Sequence, residues 1–112
     1  MIRLAMTSVV VFLISGMARA EDVFVKYRGT VHLDKFTCRD VGRSSLVNRV
    51  CYDGKEDYLL ISLRGTYYHY CHIDSDTVSE LLSANSIGQY YNEHIKGDND
   101  HDCRNGGVPD DN

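Results

Sequence analysis

The residues of this 112-residue chain that could do chemistry are four cysteines, a Tyr-x-Tyr pair, two adjacent serines and a scatter of histidines and aspartates. Tyr68 and Tyr70 lie two apart, so on a strand they point the same way. That is the geometry of a stacking platform for bases or other flat ligands, and equally that of aromatic core packing. Ser44 and Ser45 would need a base and an orienting acid to act as nucleophiles, and no Gly-x-Ser-x-Gly elbow surrounds either one. Capping a turn is the plainer use of such hydroxyls, so no catalytic residue is assigned and the chain is not expected to be an enzyme. His69 and His72 are three apart and would face opposite sides of a strand, a poor arrangement for a metal, which leaves them as surface or interface residues. Asp98, Asp100 and Asp102 have the spacing of a calcium loop, but Cys103 stands where a glycine is needed and Pro109 where a glutamate is needed. Arg43, Arg49, Asn92 and Lys96 remain as polar candidates for an anion or partner site, against the alternative of surface solvation and complementation of a helix carboxyl end. No metal or other cofactor is expected.

Cys38, Cys51, Cys71 and Cys103 form an even set in a short chain, which reads as two disulfides. The set contains no Cys-x-x-Cys pair, which disfavours zinc. A domain this small needs such staples.

The amino terminus fits that oxidising context. Met1-Ile2-Arg3, an uncharged run from Leu4 to Ile14, and Ala18-Arg19-Ala20 follow the order of a cleavable secretory signal over residues 1–20, with cleavage before Glu21. The run is too short for the roughly 20 residues that span a bilayer, and no later apolar run could serve. The periplasm is the expected compartment, with full secretion as the alternative. Residues 1–20 hold two of the 12 Lys and Arg and none of the 16 Asp and Glu, so processing takes the net charge from −4 to −6. An acidic chain of this kind is not a general polyanion binder. The deficit is local: residues 98–112 hold five Asp against Arg104, whereas residues 23–97 balance nine acids with nine bases.

The elements that would position these residues follow from periodicity. Val23 to Tyr27 alternates and could be a short strand. Leu46 to Tyr52, Tyr58 to Leu63 and Thr66 to Ile73 are β-branched and aromatic runs separated by Asp53-Gly54 and Arg64-Gly65, which predicts a three-stranded antiparallel meander. Val50 with Tyr52, Leu59 with Ile61 and Leu63, and Tyr68 with Tyr70 would each share a face. Asp74 or Ser75 can then cap a helix whose Val78, Leu81 and Leu82 form an apolar stripe, with Thr77 and Glu80 resembling a capping box. A second helix starts near Ser86 and repeats Ile87, Tyr91 and Ile95, with Gly97 as its carboxyl cap. The expected fold is α+β: a small meander covered on one face by two short helices and stapled by disulfides. In a meander the first and third strands lie about 9.5 Å apart, too far for a Cys51–Cys71 bridge. Cys38 and Cys103 are then their partners, in one of two ways.

The ordered set Arg43-Ser44-Ser45-Leu46-Val47, Val50, Tyr52-Asp53, Tyr68-His69-Tyr70, Leu81-Leu82 to Ala84, Ser86 with Gly88, Tyr90-Tyr91-Asn92 and Ile95-Lys96 resembles the KTSC domain, named from the carboxyl end of some lysyl-tRNA synthetases. The resemblance divides the chain into an amino-terminal extension at 21–42, a KTSC-like domain at 43–97 and an acidic, flexible tail at 98–112 tied down at Cys103. It implies RNA binding through the central Tyr-x-Tyr as one function. The reading favoured by the charge and the leader is an exported, non-enzymatic binding module for a protein or envelope ligand, with nucleic acid an unfavoured partner and a small envelope hydrolase a third possibility.

Overall fold

The computed structural model describes residues 21–110, so the expected signal peptide and the last two residues lie outside the described residues. Six strands form one sheet: β1 (Asp22–Val25), β2 (Gly29–His32), β3 (Thr37–Asp40), β4 (Val47–Asp53), β5 (Tyr58–Leu63) and β6 (Thr66–Tyr70), with helices α1 (Ser75–Ser83) and α2 (Ile87–His94) following. The spatial order is β2-β1-β6-β5-β4-β3, antiparallel throughout except that β1 runs parallel to β6.

This corrects the expected three-stranded meander, because the sheet is mixed, has twice as many strands and curls into a half-barrel. The reason lies in β5. Tyr58, Leu59, Leu60 and Ile61 are all fully buried, a continuous apolar run rather than an alternation, so both faces of the sheet must be covered. The two helices cover one face, where Val50, Leu59, Ile61, Val78, Leu81 and Tyr91 pack together. On the other face Val25 from β1, Val31 from β2 and Leu33 close over Cys51, Tyr58, Leu60 and Cys71.

Local chemistry explains the joints. Arg64 and Gly65, with φ of 51° and 90°, form the two-residue turn between β5 and β6, a geometry that matches strand twist. A register shift between Val47 and Arg49 bulges β4 at Asn48, whose side-chain oxygen accepts from Gly65 N at 2.7 Å. The buried Asp53 accepts from the N–H groups of Lys55 and Glu56 and so shapes the β4–β5 loop. Asp74 caps α1 by accepting from both Thr77 N and Thr77 Oγ1, so the expected Thr77–Glu80 capping box is not used. Glu80 instead accepts from the Tyr90 hydroxyl, tying α1 to α2. Ser86 caps α2 by accepting from Gln89 N.

The disulfides are Cys38–Cys51, across β3 and β4, and Cys71–Cys103, from the end of β6 to the carboxyl-terminal segment. That segment forms two 3-10 turns, Asn99–His101 and Cys103–Asn105. It is held by more than the expected Cys103 tie, since Cys71 N donates to His101 O at 3.0 Å and Arg28 donates to Pro109 O at 2.9 Å. Among the described residues no helix is long and apolar enough to cross a membrane.

Candidate functional site

The curl of the sheet leaves a groove of about 1030 Å³ between α2 and the carboxyl-terminal segment, floored by the second half of β6. Tyr68 and Tyr70 contribute from β6, Tyr91 and Asn92 from α2, and Lys96 from just beyond it. The opposite wall runs from Asp98 to Arg104 and is pinned to β6 by Cys71–Cys103. Gly97, with φ of 78°, reverses the chain between the two walls, a conformation that glycine adopts without penalty.

The two tyrosines of β6 have separate roles. Tyr70 packs edge-on against Tyr91 and the two hydroxyls hydrogen-bond to each other. Burial, reinforced by that bond, pushes the Tyr70 phenol far above its ordinary value, and burial also raises Tyr91, so both stay protonated. Tyr70 therefore closes the core at the groove floor. Tyr68 is only partly buried and lies under the Lys26 ammonium, 5.8 Å from its ring centre, which leaves it available at the groove rim.

The other candidates divide by location. Asn92 and Lys96 are exposed and line the groove. Arg43 does not line it: its guanidinium donates to Leu82 O at 3.0 Å, Ala84 O at 2.9 Å and Asn85 O at 3.3 Å, closing the carboxyl end of α1. Ser44 Oγ accepts from Leu46 N and Val47 N, the local turn use of a hydroxyl, and Ser45 is exposed outside the groove. Arg49 lies on the face of the sheet opposite Tyr68 and Tyr70, where it pairs with Glu21 at 2.7 Å and with Asp40 at 3.2 Å and donates to the Tyr67 hydroxyl at 3.3 Å. That pairing lowers the Glu21 carboxyl below its usual range.

His69 also departs from expectation, since it turns inward rather than to the surface. Its Nδ1 lies 2.7 Å from the Tyr58 hydroxyl, and burial first, then the Arg28 charge, depress its pKa. The aspartates of the tail serve local structure. Asp98 accepts from Asp100 N, and Asp102 accepts from Arg104 N and pairs with its guanidinium, which holds the Asp102 carboxyl down at about 2. Among the described residues no group of three or more His, Cys, Asp or Glu is placed to hold a metal ion.

Tyr91 and the Asp98–Arg104 wall were missed as groove residues. Tyr91 read as one apolar position of a helix stripe, and the wall read as solvated tail. The signal for the wall was the spacing itself: a bridge from Cys71 to Cys103 places the tail beside Tyr70. The assembled groove offers tyrosine rings, the Asn92 carboxamide, the Lys96 ammonium, the imidazoles of His69 and His101, and the paired charges of Asp102 and Arg104.

No curated protein matches the chain. A family model for the KTSC domain matches residues 43–98, half of the sequence, and spans β4, β5, β6, α1 and α2 together with Tyr68, Tyr70, Asn92 and Lys96. The chain belongs to the KTSC domain family.

Proposed function

We propose that this protein is an exported, non-enzymatic binding module whose ligand occupies the groove between α2 and the carboxyl-terminal segment. The observation that carries the reading is the convergence there of Tyr68 from β6 with Asn92 from the carboxyl end of α2 and Lys96 from just beyond it, around a concavity of about 1030 Å³. Ligand sites are typically concave, of this order of size, and combine apolar walls with a few placed polar groups. Export is supported by the leader-like residues 1–20 and by two disulfides, which persist in oxidising compartments. The nucleic-acid alternative loses ground because Arg43 and Arg49 are committed to intramolecular partners and one wall of the groove carries aspartates.

The test is capture from envelope extract by the oxidised protein, expressed with its own leader, beside Tyr68→Ala and Lys96→Glu variants of unchanged Tm. The same partner retained by the native protein and lost by both variants is the expected result. Retention by all three forms, or capture by none, would remove the groove as the site.

A further inference from the structure

The edge of β6 beside this groove is only partly used. The two-residue turn at Arg64–Gly65 makes Leu63 and Thr66 the closing pair of the β5–β6 hairpin. Hydrogen-bonded pairs alternate in an antiparallel ladder, so Thr66, Tyr68 and Tyr70 spend their backbone groups on β5 while Tyr67, His69 and Cys71 turn theirs outward. Tyr67 O accepts from Lys26 N at 2.9 Å, and Cys71 N donates to His101 O at 3.0 Å. Between them the outward N–H and C=O of His69 have no ladder partner among the described residues. β1 ends at Val25, and the chain then turns away at Tyr27, with φ of 72°, to enter β2. The stretch from Tyr67 to Cys71 spans about 13 Å, the length of three or four extended residues.

Three cations around this edge are left without a carboxylate partner among the described residues. Lys26, Arg64 and Lys96 make no ion pair with any described residue, and Lys26 lies over the rings of Tyr27 and Tyr68. Of the acids in the groove, Asp102 is paired with Arg104, and Asp98 lies 3.9 Å from His101, an ion pair only when that ring is protonated. Lys26, Arg64 and Lys96, three cations against the one carboxylate of Asp98, leave room for carboxylates on an occupant.

Building on the groove reading, we infer that the occupant is an extended peptide segment bearing carboxylates, which adds a short strand at His69 and lays alternate side chains against Tyr68 and toward Lys96. Main-chain pairing would supply affinity, and the rings and cations would supply the preference for sequence.

The test is selection of a random heptapeptide phage library on the oxidised protein, followed by binding measurements with the selected sequences as labelled synthetic peptides. The expected peptides carry Asp or Glu among β-branched or aromatic residues. They should lose about tenfold or more in affinity when alternate peptide nitrogens are methylated, and by a similar factor toward an Arg64→Glu, Lys96→Glu variant. Saturating peptide should slow hydrogen exchange at the His69 amide. No enrichment over an unrelated disulfide-bonded protein would overturn the inference, as would a single-stranded RNA decamer that binds where no peptide does. Peptides that depend on Tyr68 yet tolerate methylation and leave the His69 amide unprotected would sink strand addition while leaving the groove reading intact.

Discussion

The two faces of the sheet are sealed by different means. On the helix side, α1 and α2 lay amphipathic stripes over β4 and β5, and all of these elements fall within the residues that match the family. On the other side the cover comes from β1, β2 and the carboxyl-terminal segment, which lie largely outside the match, and both disulfides are on that side. The helix side is closed by burial of large side chains contributed by contiguous elements. The other side recruits short flanking segments that bury little each, so covalent ties replace the area they lack. The groove sits where the two covers meet, with α2 as one wall and a stapled flank as the other.

The comparison is broken most severely through the staples. Removing the Cys71–Cys103 bridge with paired alanines frees a 32-residue loop and should cost about 4 kcal/mol, while removing Cys38–Cys51, a 13-residue loop, should cost about 3 kcal/mol. Denaturant unfolding ranks them, and an equal or reversed ranking would show that loop closure is not what the bridges contribute. The counterpart on the helix side is Leu81→Ala, which removes a fully buried side chain and should cost about 3 kcal/mol with both disulfides intact. A loss below about 1 kcal/mol would mean that α1 is not what seals that face.

The smallest effect sharpens the contrast through protons. His69, on the stapled side, has a depressed folded pKa, so below about 6.5 the unfolded chain binds more protons. Its contribution is complete above that pH and is lost as pH falls through the folded value. His32, held by Asp22 at 2.5 Å, has a raised pKa, so its exposed pair contributes below about 6.5 and fades as pH rises through the folded value. A proton NMR titration should find His69 titrating lower than His32. The reverse order would contradict the burial of His69.

The strands and helices of residues 47–94 were legible because each carried its own period, turn or cap: Arg64-Gly65 between two β-rich runs, Asp74 and Ser86 before apolar stripes. β2 and β3 were not. Each is four residues long, with at most one buried side chain, and each holds its place only by pairing with a partner elsewhere in the sheet. A sharper reading was available in Tyr58-Leu59-Leu60-Ile61, where the lack of alternation already demanded cover on both faces. At the groove, Tyr68, Asn92 and Lys96 stood out by type and spacing. Arg43 and Arg49 looked equally free, because their partners, the Leu82 and Ala84 carbonyls and the Glu21 carboxylate, lie 28 to 41 residues away in sequence.

The placement of β5 at the centre of the sheet has a further consequence, for solubility. Tyr58 to Leu63 carries no charge and no proline and favours extended structure, the composition of a segment that stacks with copies of itself when uncovered. In the fold both its edges are paired, and the outermost strands, β2 and β3, are short, with His32, Arg39 and Asp40 exposed along them. Whatever opens the stapled side therefore uncovers Leu60 and its neighbours to other molecules, and the two disulfides guard the chain against aggregation as well as against unfolding.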